Sequence, residues 1–460
     1  MAALEATTAP RPPSVTAEAA PERLDVPREA GLRAYLDPAN LRSFALSTPG
    51  RLIAIGLLLI GICLGAGMMT AATVSDRQQA LDFLLDDTEP DANSSHHLYT
   101  SLSIADAAAS TAFIAGGLEP EAVRDRYSQA LGEASAELVT QTGHAAGQTT
   151  DDNNPDTQLR TGIATGLPVY AGLIETARAN NRNGFPVGAA YLSEASNQMQ
   201  TTLLPMAAQL QSHRSDAVTA AQRHHVQPPL PAIALLILAL AALIWAQVDL
   251  SKRWHRVLNP GLLLACTAIL ILLAWTVVAG SISAAEMIGG RDHGAVPASR
   301  LTESRILTQQ ARSAETLKLV RRDATGDYDR TYEASVTRLN ELLGGYPADA
   351  PAAGEIANAR AALGRWQVAH QRMNDTLAHG DFVGAATVAT GPGAADAAAQ
   401  VDALDRALSQ GLDATRDTLR DNISGAARSL DFLAPGAMVL GILAAGYVGL
   451  GMWPRLREYR

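Results

Sequence analysis

The residues best arranged for chemistry in this chain are few and polar. In ETARANNRN (175–183), Glu175, Arg178 and Arg182 recur at spacings of three and four, so a helix would place them on one stripe. Two guanidiniums beside a carboxylate suit a carboxylate or amino-acid ligand. The same spacing also makes an intrahelical salt-bridge face, which is the expected use. Asp106, set among small residues in SLSIADAAAS, is expected to be buried, paired with an arginine of a neighbouring helix or with a ligand. His96-His97 and His224-His225, with His213 ahead of the second pair, offer imidazoles to a metal. No acidic ligand stands at a defined spacing from them, so neither a metal nor another cofactor is expected. The chain has no nucleophile elbow, phosphate-binding glycine loop, HExxH helix or dinucleotide fingerprint, and no enzymatic activity is expected.

Four charge-free apolar runs must position these residues: 52–73, 230–248, 262–284 and 434–453. Each has about 20 residues, enough to cross a hydrocarbon core of about 30 Å. The first follows some 50 residues without a short basic start, and is read as a membrane helix rather than a cleavable leader. None contains an acid, a base or a histidine, which argues against a proton- or ion-coupled transporter. Lys252, Arg253 and Arg256 in the loop 249–260, and Arg455, Arg457 and Arg460 in the tail 454–460, place these pieces in the cytoplasm. A plasma-membrane protein with both termini inside follows. Segments 75–228 and 285–433 then face outward, with 18 acids against 8 bases and 20 against 16. The net charge of −10 gives no reason to expect a nucleic-acid partner. Cys63 and Cys266 both lie in membrane runs, so the outward segments must hold together by packing alone. Residues 1–50 begin as an Ala/Pro/Thr-rich stretch expected to be disordered, with an amphipathic helix over 28–46 and phosphate acceptors at Thr7, Thr8, Ser14 and Thr16.

The outward segments repeat each other. Gly184-Phe185-Pro186-Val187-Gly188-Ala189-Ala190 matches Gly380-Asp381-Phe382-Val383-Gly384-Ala385-Ala386 at five of seven positions. Composition and breakers predict helices over 98–115, 119–141, 156–181 and 186–222, then 297–322, 326–343, 354–378 and 382–430. TEPDANSS and EMIGGRDHGAVP are read as breaks after the membrane helices, and GPG (391–393) as a bend. The fold class is therefore all-α: four transmembrane helices carrying two tandem extracytoplasmic four-helix bundles. Asn183, Gly184, Phe185 and Pro186, with Gly380, Asp381 and Phe382, fall in the turns at the membrane-distal tips, beside GGLEP and RDATGD. Glycine at a helix end explains the turns themselves. Phe185 and Phe382 are candidate exposed anchors for a docking partner. Gly61 and Gly65 give the first membrane helix a small-residue face for the last helix or for a homodimer.

The stretch LPVYAGLIETARANNRNGFPVGAAYLSEASNQMQTTLLP (167–205), four passes and tandem outward domains resemble an actinobacterial family of membrane signalling proteins, the GlnX type. The bundles resemble chemoreceptor sensing domains. The family resemblance implies a relay between an extracytoplasmic amino-acid-binding lipoprotein, a solute-binding protein of the glutamine type, and a cytoplasmic serine/threonine kinase, protein kinase G. The lipoprotein would meet the tips; the basic loop or N-terminal segment would influence the kinase. Two other readings stand beside it: a direct small-molecule chemosensor, and a structural envelope scaffold. With no cytoplasmic output domain in the sequence, a signalling role needs a separate partner inside.

Overall fold

The computed structural model describes residues 48–114, 119, 121–145, 154–225, 229–254, 259–321, 326–391 and 393–457. The expected amphipathic helix over 28–46, the phosphate acceptors and most of GGLEP and RDATGD lie outside them. The described residues are helical with no strand. In chain order they form α1 (Thr48–Phe83), α2 (Glu89–Ile114), α3 (Glu121–Ala145), α4 (Pro155–Arg182), α5 (Val187–Gln198), α6 (Leu204–His225) and α7 (Leu230–Trp254). The second half forms α8 (Pro260–Gly289), α9 (Val296–Arg321), α10 (Asp327–Gly344), α11 (Ala353–Ala378), α12 (Phe382–Thr390), α13 (Ala397–Arg428) and α14 (Leu433–Arg457).

Among the described residues, four helices are long and apolar enough to cross a membrane, the pattern of a multi-pass membrane protein. In this layer α1 packs on α14 and α7, and α8 packs on α14 and α7, closing a ring. Backbone contact fixes the pairings. A Cβ at Gly67 would lie 2.9 Å from the Ala437 carbonyl oxygen and 3.0 Å from Gly441 Cα, so α1 and α14 touch main chain to main chain. A Cβ at Gly61 or Gly65 would meet nothing among the described residues, so the small-residue face toward α14 is Cys63/Gly67 rather than the expected pair. At the opposite end of the layer, Asn259 Oδ1 caps α8 by accepting from Gly261 N (3.1 Å), with Pro260 in the first turn. Its Nδ2 donates to the Gly451 carbonyl (2.9 Å), tying that cap to α14.

Two bundles rise from the same side of this layer. In the first, α2 packs on α3 and α6, and α4 on α5 and α6. The second repeats that arrangement: α9 packs on α10 and α13, and α11 on α12 and α13. Each has its own core, around Leu98, Leu102, Ile163, Tyr170, Met199 and Leu203 in the first, and Leu301, Leu339, Trp366, Leu404 and Leu408 in the second. The bundles also pack on each other along α2 and α9.

The expected breaks after the membrane helices are absent. One helix runs from Gly50 to Ile114 and another from Pro260 to Arg321, each about 95 Å at 1.5 Å per residue. Leading into TEPDANSS and within EMIGGRDHGAVP the helix widens into π turns, Leu84–Thr88 and Gly290–Ala295, and continues. A third π turn, Met199–Leu203, joins α5 to α6. Pro90, Pro205 and Pro297 each lie two residues beyond such a turn. Proline lacks an N–H and collides with the carbonyl four residues back. In all three cases that carbonyl belongs to the π turn, whose wider path accommodates the ring. The GPG segment does the reverse. The expected continuous helix over 382–430 splits at Gly391, which is extended (ψ 157°). Asp396 holds the link by accepting from Gly393 N (3.0 Å) and Arg372 Nη2 (2.8 Å).

Candidate functional site

The two glycine turns close by the same hydrogen bonds. Gly184 and Gly380 adopt φ of 72° and 80°, the left-handed region that glycine enters without a Cβ penalty. In the first turn Phe185 N donates to Asn180 O (2.9 Å) and Gly184 N to Asn181 O (3.0 Å). In the second, Asp381 N donates to Thr376 O (3.2 Å) and Gly380 N to Leu377 O (2.9 Å). Both are Schellman caps, with the next helix starting at once. Asp381 then caps α12 by accepting from Gly384 N (2.8 Å), and Pro186 leads into α5.

What the turns expose differs from the expectation. Phe185 is 56% exposed, beside exposed Val187 and Tyr191. Phe382 is half-buried, packed with Leu319, Met373, Ala385 and Ala389 and with Ile114 from the end of α2. It replaces Pro186 in the alignment, not Phe185, and its position on α12 turns it inward. The exposed apolar residue of the second tip is Val383, at 75%.

The Glu175–Arg178 pair is engaged within the protein. Arg178 donates to Glu175 Oε1 (2.6 Å) and Glu119 Oε1 (2.8 Å), and its guanidinium carbon sits 4.2 Å from the centre of the Tyr127 ring. It therefore clamps α4 to α3 and to the residue leading into it. Arg182 is exposed in the last turn of α4, where a cation complements the helix dipole. Asp106 is buried, as its surroundings implied, but its partners within the protein are not arginines. It accepts from Gln200 Nε2 (2.9 Å), Ser196 Oγ (3.2 Å) and Tyr170 Oη (3.5 Å). Burial raises its pKa to about 6, against the lowering effect of those three donors. Gln200 Nε2 also donates to Ser313 Oγ on α9 (3.0 Å), which links this centre to the second bundle.

The polar seam between the bundles has no counterpart in the sequence reading. Glu89, at the start of α2 and 3% exposed, accepts from Arg420 Nη2 (2.7 Å) and Nε (2.9 Å) on α13. Arg126 and Arg312, one from each bundle, share Asp402 at 2.9 and 3.0 Å. Arg305 pairs with Asp405 through Nε (3.1 Å) and Nη2 (3.2 Å), and its Nη1 reaches His96 Nε2 (3.4 Å). These pairs span sequence separations that no local spacing reveals. The second bundle has its own buried cluster, equally unforeseen. Glu315 accepts from Trp366 Nε1 (3.2 Å) and meets His370 Nδ1 (2.8 Å), whose ring stacks on Tyr332.

Among the described residues no three histidines, cysteines or acids group to hold a metal. His96 is in the seam, His213 pairs with Asp156 (2.9 Å), and the side chains of His224 and His225 lie outside the described ones. Of the basic loop, Lys252 is exposed at the end of α7; the side chain of Arg253 and all of Arg256 lie outside.

Residues 80–223, essentially the first bundle with its two π turns, match the family model of an actinobacterial sensor domain. The similarity is to a sensing module, and signalling is the class of function it indicates. Comparison with curated proteins and with solved structures gives no match.

Proposed function

We propose that this chain is a transmembrane sensor that passes an external state inward through its long helices. The observation that carries the reading is helix continuity: two helices run unbroken from the bilayer to the far end of the bundles, and the bundle on the first resembles a sensing module. A shift, tilt or rotation imposed on either bundle moves the attached membrane helix as one body. The charge pattern supports outward bundles and cytoplasmic termini. In the finer form of the proposal, the tips dock an extracytoplasmic solute-binding protein and the basic end influences a separate serine/threonine kinase.

Full-length protein in nanodiscs, titrated by calorimetry with a liganded solute-binding protein from the same organism, tests the finer form. Phe185→Ala and Val383→Ser should weaken binding by about tenfold or more if these tips are central anchors. Phe382→Ala is a poor probe, because it opens a packed cluster. No binding to the intact chain would remove the docking step. Direct chemosensing, the second reading, is favoured by a cavity between the bundles.

A further inference from the structure

A cavity of about 530 Å³ lies between the bundles, in their membrane-proximal half, bordered by α2 and α6 on one side and α9 and α13 on the other. That volume suits a small metabolite. Its mouth carries exposed Ser212, Asp216 and Arg291, and its inner wall Glu89, His96 and Arg416.

The charges of the wall are unevenly matched. Glu89 is taken by Arg420, and Glu303 at the cavity edge by Arg338 Nε (2.9 Å). Arg291 stands 3.8 Å from its neighbour Asp292. Arg416 has only 15% of its side chain exposed and makes no hydrogen bond among the described residues; Glu89 Oε1 is 3.8 Å from its Nε. Asp413, one turn earlier on α13 and exposed, supplies further negative potential. The Arg416 guanidinium is thus paired with Glu89 only at long range and has donors to spare, which a ligand carboxylate at the cavity wall would engage at hydrogen-bond distance.

His96 lines the same wall. It is 2% exposed, and Arg305 Nη1 donates to its Nε2, which leaves the ring proton on Nδ1. That buried donor has no partner among the described residues. Burial and the nearby arginines hold His96 neutral, so it contributes a donor and no charge. A cation with donors to spare, Arg416, and a neutral imidazole, His96, therefore border one cavity.

We propose that this cavity binds a small monocarboxylate, with its carboxylate on the Arg416 guanidinium and the neutral His96 imidazole in the wall beside it. Asp216, Glu303 and Glu89 around the space disfavour a second carboxylate and are compatible with an ammonium group on the ligand. The site touches both bundles, so occupancy would alter how α2 and α13 sit above their membrane helices. That regulatory consequence rests on the sensor reading; binding itself does not.

The test is thermal unfolding and calorimetry on the full chain in nanodiscs with lactate, L-serine, succinate and sulfate at millimolar concentration. Lactate or L-serine should bind and raise the unfolding temperature, and succinate and sulfate should bind more weakly. Arg416→Gln should weaken binding by about tenfold to a hundredfold, the loss of a charge-assisted hydrogen bond. Ser215→Trp fills the cavity with Arg416 intact and should abolish binding, giving a second route if Arg416→Gln folds poorly. No binding of either monocarboxylate, equal binding of sulfate, or affinity unchanged by both substitutions overturns the site. Binding that leaves the membrane helices unmoved, read by spin-label distances across α1 and α14, keeps the site and removes the sensor.

Discussion

Asp106 shows what one residue's surroundings do and do not disclose. The run of small residues around it announces burial, since small side chains allow helices to approach closely. Its partners Ser196 and Gln200 lie on another helix far along the chain, and no spacing points to them. With its pKa raised to about 6 by burial, the folded state holds a proton that the unfolded chain has released above about pH 4. Folding stability from this group is therefore full below about pH 4 and falls as pH rises through about 6. Asp106→Asn removes that dependence. The difference in stability between the variant and the natural protein should move in favour of the variant by the order of 1–3 kcal/mol between pH 4.5 and 7.5. A flat difference across that range, measured by thermal unfolding, would contradict the assignment. Arg178 teaches the same lesson: its i,i+3 partner Glu175 was legible, whereas Glu119 and the Tyr127 ring belong to another part of the bundle.

At the scale of the element, helix ends were readable because capping chemistry is local. Gly184, Gly380, Asn154 and Asn259 each sit where their residue type predicts a cap. Gly184→Ala should cost about 1 kcal/mol through backbone strain alone, because the added methyl meets no neighbour. The equivalent change at Gly294 should cost more. A Cβ there would stand 2.7 Å from Leu419 Cβ and 2.8 Å from its Cα, forcing α13 away from the π turn. A loss of about 1–3 kcal/mol is expected, the range of overpacking, with faster amide exchange in α13. Equal effects at both glycines would mean that the close approach of α13 is not what Gly294 serves. The π turns at 84–88 and 290–295 were misread as breaks. Proline and glycine mark a departure from the α-helix, and only the surrounding packing decides whether the chain stops or widens.

Across the whole molecule, four passes, two bundles and their internal repeat were legible from hydropathy and one recurring motif. The way the bundles lean on each other was not. The seam is made of polar pairs such as Glu89–Arg420 and Arg126–Asp402–Arg312, in residue types that a sequence reader assigns to solvent. Glu89→Gln leaves Arg416 and Arg420 in the seam without their carboxylate. It should destabilise the protein by about 1–3 kcal/mol, and amide exchange should quicken on both α2 and α13. A change confined to the first bundle would show that the two do not unfold together. The candidate cavity was hidden for the same reason, because its wall is assembled from both halves of the duplication.

The wide turns bear on how the length of this chain can vary. A π turn holds one residue more than the α-helix needs, so excising a residue such as Asp87 lets the turn relax to ordinary α geometry while the faces on either side keep their alignment. Excising one from the uniform part of α1 instead rotates everything beyond it by about 100° and turns the lipid-facing stripe toward its neighbours. Single-residue deletions should thus be tolerated at 84–88 and 290–295 and lethal to folding a few turns away. Length variation among related chains should collect at the same two places.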